Sequence, residues 1–175
     1  SAFLMFVGCA STNLPPVSRM NGTFEEDEKQ LWSDSREERE VLERSGVVFD
    51  DPELEKYLYS VASALQPPSV MEKIPFEFRI MKDPRLNAFA FPDGVVYVHT
   101  GILASIENEA QLAVLLAHEM AHCTHRHGVR NRRSVKNATA VYATLSTALG
   151  GVGVVGDATY ILGQVGVVAA VTGYS

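Results

Sequence analysis

The residues of this chain best suited to chemistry form the pentapeptide His118-Glu119-Met120-Ala121-His122. If the segment is helical, side chains four positions apart lie on one face, so both imidazoles can reach one metal ion. Zinc accepts neutral histidine nitrogens and, in catalytic sites, keeps one position open for water. A carboxylate beside the first histidine can take a proton from that water. The spacing therefore predicts a hydrolytic zinc site, with His118 and His122 as metal ligands and Glu119 as the catalytic base.

A helix from about Glu109 to Arg126 is expected around this motif. Asn108, followed three residues later by Gln111, forms a helix-capping pattern. The residues that follow are apolar on nearly every face, which predicts a helix buried all round. Two histidines and a carboxylate in such a helix need a metal ion or hydrogen bonds to compensate for their burial.

The third protein ligand of a catalytic zinc ion is not evident from the spacing. After His122 the chain contains no glutamate and a single aspartate, Asp157. His125 shares the face of the motif, but it lies two turns from His118, about 10.5 Å along the axis, and is expected at the surface. His127 is expected to point away from the metal-binding face. We therefore expect the ligand set to be incomplete and a C-terminal part of the catalytic domain to be missing.

The first residues resemble the remnant of a bacterial lipoprotein signal. An apolar run ends in Phe6-Val7-Gly8-Cys9, where a small residue precedes a cysteine that could receive lipid. The polar stretch that follows, with its two adjacent prolines, fits a tether. We expect a signal remnant and tether over residues 1–22, lipidation at Cys9, and a metallopeptidase domain over residues 23–175. An ordinary core strand is the alternative for the apolar run.

The composition is that of a globular chain, because 46% of the 175 residues are hydrophobic and 21% are charged. Charge is unevenly distributed: residues 1–60 contain 13 acidic and 6 basic side chains, whereas residues 61–175 contain 8 and 9. The acidic first third argues against a nucleic-acid partner. The basic residues that follow the motif are expected to form the solvated end of a helix, although they could also contact phosphates or membrane headgroups. They are Arg126, Arg130, Arg132, Arg133 and Lys136.

Several further elements are expected to position the motif helix, on the evidence of capping residues, prolines and alternating apolar residues. They are a charged helix capped by Thr23 and ending near Arg44, a helix from Pro52 to before Pro67, a strand Phe76–Ile80, a hairpin of Ala88–Phe91 and Val95–His99 around a Pro-Asp-Gly turn, and a short helix over residues 101–107.

Residues 138–174 are rich in glycine and carry one charged side chain, Asp157. The uncharged stretch 138–156 is nineteen residues long, which is enough for a membrane span. Its glycines weaken a continuous helix, so we favour two short helices around a glycine-rich loop. Such a segment would cover the active site or form a hydrophobic binding surface.

Together these motifs resemble the M48 family of zinc metallopeptidases, and more narrowly its bacterial periplasmic and lipoprotein members. The resemblance covers about residues 50–175 and rests on the segments Asn87–Gly94, Val95–His99, Gly101–Leu103, Ala117–His122 and Arg126–His127. The chain departs from the family at Asp93, where a glycine is frequent.

The resemblance implies an α+β zincin domain of the gluzincin-like type, mostly helical, with a small β-sheet packed on the H-E-x-x-H helix. It implies one Zn²⁺ ion held by His118 and His122, with Glu119 as the general base. The third ligand of the family is a glutamate in a segment that begins Gly-Tyr-Ser, the three residues with which this chain ends. The strand near Asn87–Phe91 or the strand Val95–His99 would form the wall of the cleft. An edge strand there, with Asn87, Ala88, Phe89 and Ala90 as the expected contacts, would bind an extended peptide by backbone hydrogen bonds.

The function that follows is zinc-dependent hydrolysis of peptide bonds, with misfolded or cell-envelope proteins as substrates. The expected location is the bacterial periplasm, with membrane association through a lipid anchor. One alternative is a catalytically idle, chaperone-like protein-binding module of the envelope, and another is a membrane-embedded hairpin spanning residues 138–173. His99 and His125 are secondary candidates for contacts to the reacting group, although a structural role explains each more simply.

Overall fold

The computed structural model describes residues 10–148, apart from the side chains of residues 143 and 145–148. Cys9 and the expected glycine-rich loop lie outside the described residues. The elements, in chain order, are a 3-10 turn Val17–Arg19, α1 Glu26–Arg44, β1 Val48–Phe49, α2 Pro52–Ser63, α3 Pro68–Met71, β2 Glu77–Met81, β3 Ala88–Ala90, β4 Val95–His99, α4 Thr100–Ser105, α5 Glu109–Thr124 and α6 His127–Ala148. The predicted fold class is confirmed: this is a mostly helical α+β chain with a small sheet.

The four strands form one mixed sheet in the order β1-β2-β4-β3. β2 pairs with β4 in parallel, while β1 and β3 are antiparallel to their neighbours. The predicted hairpin is confirmed, and the amide of Phe91 donates to the carbonyl of Val95 across it at 2.8 Å. Gly94 closes its turn with a φ of 99°, a left-handed conformation that favours glycine. Because β3 comes last in the strand order, it is an edge strand of the sheet.

Helices cover both faces of the sheet. Because side chains alternate along a strand, Val96 and Val98 of β4 join the larger core, to which α2 and α5 contribute Leu58 and Leu116. The other side chains of β4 pack in a smaller cluster that Leu42 of α1 covers. α5 thus lies against the sheet on the same side as α2, and α1 lies on the opposite side.

Charge pairing holds α1 to the rest of the chain. Asp27 accepts a hydrogen bond from Arg133 at 2.7 Å, and Arg132 pairs with Asp34 at 2.7 Å. The basic cluster that was expected to be a solvated helix end is thus partly buried, with Arg133 4% exposed. The uneven charge of the sequence has this physical origin, because the acidic first third contains the partners of the basic residues on α6.

Asp93 shows the same pairing at the hairpin turn. Its side chain is 6% exposed and lies 2.7 Å from the guanidinium of Arg39 on α1. The residue at which this chain departs from the resembled family therefore makes an ion pair between the hairpin and α1.

Other expectations about the elements need correction. Thr23 does not cap α1, which begins at Glu26 after Glu25 without a side-chain cap. The two-residue β1 and the one-turn α3 were not predicted, since elements this short form through their neighbours rather than through a sequence period. α6 extends through Ala148, so the described start of the stretch 138–156 is helical, while the expected glycine-rich loop and the second short helix lie outside the described residues. Within residues 10–148, no helix is both long enough and apolar enough to cross a bilayer.

Candidate metal site

The motif helix begins as the sequence predicts. The side chain of Asn108 accepts a hydrogen bond from the amide of Gln111 at 3.1 Å, which satisfies one of the free donors of the first turn. The helix ends at Thr124, two residues earlier than expected, because Arg126 takes a left-handed conformation with φ 58°. That residue therefore turns the chain away from the axis of α5.

The expectation that α5 is buried all round is wrong. Leu116 and Met120 are buried against the sheet, whereas Val114 on the opposite face is 71% exposed. Ala110 and His118 share that open face, at spacings of four residues. The helix packs with one side only, and this leaves the first histidine of the motif accessible to a ligand.

The two histidines of the motif face each other with their Nε2 atoms. The distance between Nε2 of His118 and Nε2 of His122 is 3.4 Å. Two nitrogens bound to one tetrahedral zinc ion at 2.0–2.1 Å are about 3.3 Å apart. The separation of the two donor nitrogens therefore matches that of two nitrogens bound to one zinc ion.

Glu119 lies between these residues in the chain but points into the protein, where it is 5% exposed. Burial raises the pKa of its carboxyl group, and the nearby His118 partly opposes that shift. A carboxylate with a raised pKa is a stronger base than one in water, so its burial suits proton abstraction near neutral pH.

His127 does not point away from the motif, and that expectation is wrong. Its Nδ1 atom lies 3.0 Å from Nδ1 of His122, on the side of that ring opposite His118. The left-handed turn at Arg126 starts α6 directly at His127 and brings its imidazole back toward α5. The predicted helix ended at about Arg126, and nothing in the sequence indicated that the chain turns back there.

Burial lowers the pKa of both His122 and His127, and neighbouring imidazoles contribute in the same direction. Both shifts favour the neutral ring relative to a free imidazole. Neutral imidazole is the form that can act as a metal ligand or as a hydrogen-bond acceptor.

The two secondary histidine candidates take other positions. His125 caps the C-terminus of α5, with its Nδ1 atom 3.1 Å from the carbonyl oxygen of Ala121. His99 is 1% exposed at the end of β4, where its Nδ1 atom lies 3.7 Å from a carboxylate oxygen of Asp83. Among the residues that the structure describes, neither is brought to the pair of facing Nε2 atoms.

A third ligand is not found within residues 10–148. No group of three or more His, Cys, Asp or Glu side chains in this part of the chain is arranged to hold a metal ion. Nε2 of His122 faces His118, and Nδ1 of His122 faces His127. The three imidazoles therefore lie in a row and do not surround one metal position.

The residues expected to bind substrate lie beside the motif helix. Ala88–Ala90 form β3, which packs on α5, and Asn87 immediately precedes it. The thiol of Cys123, buried on α5, donates to the carbonyl oxygen of Phe91 at 3.2 Å and ties the end of this strand to the helix. The structure therefore places an edge strand alongside the helix that contains the histidine pair.

The model of peptidase family M48 matches residues 50–174. The match begins just before α2 and includes the sheet strands β2 to β4 and the motif helix, whereas α1 and β1 precede it.

Individual relatives are similar over shorter stretches. The Escherichia coli K12 protein named beta-barrel assembly-enhancing protease is 37% identical over 89 residues, which are 51% of this chain and 18% of that protein. A Vibrio cholerae relative, whose name assigns it provisionally to the same group, is 31% identical over 138 residues, 78% of this chain and 28% of its own. The mitochondrial metalloendopeptidase OMA1 of Schizosaccharomyces pombe is 39% identical over 71 residues, 41% of this chain and 21% of that protein. The matched part of the chain thus spans between 18% and 28% of the length of these relatives.

Proposed function

Because the chain belongs to peptidase family M48, we propose that it is a zinc-dependent endopeptidase that hydrolyses peptide bonds through His118, Glu119 and His122. The observation that carries this proposal is the 3.4 Å separation of the two Nε2 atoms, which matches the spacing of nitrogens on one tetrahedral zinc ion. The same separation also permits a hydrogen bond between the two rings, so zinc binding itself has to be measured.

His118 and His122 would hold the metal ion, and its further ligands would come from outside residues 10–148. A bound zinc ion supplies Lewis acidity to a scissile carbonyl and to water. Glu119 accepts a proton from the attacking water and passes it to the leaving amine, which lets one carboxyl group serve as both base and acid. Its burial beside the histidines keeps that carboxyl close to the reaction and away from bulk water.

β3 is the proposed binding surface for the peptide. An extended substrate can add to the edge of a sheet through main-chain hydrogen bonds, and such binding depends little on the substrate side chains. The edge formed by Ala88, Phe89 and Ala90, with Asn87 before it, lies next to α5. This mode of binding suits an enzyme that acts on unfolded segments of many proteins.

We place the activity in the bacterial cell envelope, on misfolded or envelope proteins. The support is indirect: two of the relatives described above are named for enhancing beta-barrel assembly. Lipidation of Cys9, which would anchor the chain to a membrane, belongs to the same proposal and rests on the sequence alone.

Zinc affinity tests the ligand assignment. In the full-length chain, His118→Ala and His122→Ala are each expected to raise the Kd for zinc at least about 100-fold, because loss of a direct ligand exceeds the 10–100-fold effect of an outer partner. Competition with a chromophoric chelator measures this. His125→Ala is the matched control, since this histidine is on the same segment but faces the carbonyl of Ala121. Equal zinc affinities of the wild type and the three variants would overturn the assignment.

A further inference from the structure

The chain reverses direction abruptly at residues 125–126, which we call the α5–α6 corner. α5 ends at Thr124, and α6 begins at His127. The corner depends on Arg126, a non-glycine residue with φ 58°. Left-handed backbone is unfavourable for such a residue because its Cβ crowds the following carbonyl oxygen, so other contacts must hold it in place.

Those contacts come from α1. The guanidinium group of Arg126 is 3% exposed, and the carboxylate of Glu28, 2% exposed, accepts two hydrogen bonds from it. The Nε atom of Arg126 lies 3.0 Å from Oε1 of Glu28. A two-point contact between planar groups fixes orientation as well as distance. The corner is therefore locked by a residue 98 positions earlier in the chain.

The lock determines where His127 lies. Its ring stands at 76° to that of His122, with 5.0 Å between ring centroids and 3.0 Å between the two Nδ1 atoms. At that distance the two nitrogens share a hydrogen bond only if one is protonated and the other is not. When Nε2 of His122 binds a metal ion, the proton of that ring resides on Nδ1, so His122 donates and His127 accepts.

From this geometry we propose that His127 is the positioning residue of the metal site: it accepts a hydrogen bond from Nδ1 of His122 and thereby holds Nε2 of His122 toward the metal ion. This inference rests on the proposed zinc site and adds a role that neither the motif nor its spacing assigns. Metal-binding histidines commonly use their second nitrogen in this way, which fixes both tautomer and ring orientation. Here the partner is an imidazole supplied by the next helix.

Three variants of the full-length chain test this role. Removing an outer partner of a metal-binding histidine typically weakens metal binding 10–100-fold, and that range is the expected rise in the zinc Kd for His127→Ala. His127→Asn places an amide oxygen near the position of Nδ1 and is expected to restore the affinity to within about threefold of the wild type. His125→Ala, which removes an exposed imidazole two residues away, is expected to leave the affinity unchanged.

Competition with a chromophoric chelator gives the Kd values, and the absorption spectrum of the Co²⁺-loaded proteins reports on ligand geometry. We expect the spectrum of His127→Ala to differ from that of the wild type, and the spectrum of His127→Asn to match it. Thermal unfolding of the metal-free proteins separates a local effect from a general loss of structure. Should His127→Ala unfold, the comparison of His127→Asn with the wild type still decides the matter.

The outcomes distinguish this inference from the function on which it rests. Zinc binding that is lost in His122→Ala but unchanged in His127→Ala would overturn the role of His127 and leave the zinc site intact. An affinity for His127→Asn as low as that for His127→Ala would also overturn it, because an acceptor at that position would then have no effect. If the wild type itself binds no zinc, both proposals fall.

Discussion

Replacing Glu119 by glutamine is expected to lower kcat/KM for peptide hydrolysis by about 10²–10⁴-fold, the contribution of a general acid–base group, while one zinc ion stays bound. Glutamine has nearly the same size as glutamate, so it fills the same buried space, but it cannot accept the proton of the attacking water. Because burial already raises the pKa of the carboxyl group, exchange for a neutral amide should not destabilise the fold.

The matched control is Glu109→Gln, the same exchange on the first turn of the same helix. Glu109 is exposed and accepts a hydrogen bond from the hydroxyl of Tyr57 at 2.9 Å, away from the histidine pair. Cleavage of an unfolded protein substrate and zinc content are measured for both variants. Full activity of Glu119→Gln would refute its role as the base, and loss of zinc from that variant would show that the residue acts through the metal instead.

The second large effect is expected on stability. Glu28→Ala should lower the free energy of unfolding by about 3–5 kcal/mol, because it removes the hydrogen-bonded partner of the buried guanidinium of Arg126 and leaves only the longer ion pair to Glu25 at 3.7 Å. For a chain of this length that corresponds to a fall in Tm of about 6–20 °C. The loss of stability follows from burial: the side chains of Glu28 and Arg126 are 2% and 3% exposed, so water cannot replace the lost carboxylate.

Glu26→Ala is the matched control for this experiment. Glu26 lies on the first turn of the same helix, but its side chain is 88% exposed and pairs with Lys29 at 2.6 Å. Ion pairs at the surface contribute about 0–1 kcal/mol, so its Tm should change by a few degrees at most. Thermal unfolding followed by circular dichroism measures the change in Tm of both variants. Equal changes would contradict a stabilising role of the buried Glu28–Arg126 pair.

The sequence contained enough information to predict the local parts of the site. Asn108 and the capping pattern placed the start of the motif helix, the spacing of His118 and His122 placed both on one face, and the turn ending in Gly94 placed the hairpin. Each of these depends on residues within a few positions of one another, where backbone geometry and hydrogen bonding are determined locally.

The position of His127 could not be predicted in this way. It depends on the left-handed φ of Arg126, which in turn depends on a carboxylate of α1 98 positions away. The available signal was the charge imbalance between the first third of the chain and the basic residues after the motif, but net charge does not specify which residues pair. The burial of α5 was overestimated for a related reason, since alanines and valines tolerate an exposed face as well as a buried one.

α1 also bears on how this protein can be dissected. It precedes the segment that the family model matches, yet its carboxylates neutralise Arg126 and Arg133. A protein excised at residue 50 would lose both the counter-ions of these arginines and the helix that carries them. We therefore expect the stable folding unit to include α1 as well as the segment that the family model matches, and expression boundaries should follow the ion pairs rather than the limits of sequence similarity.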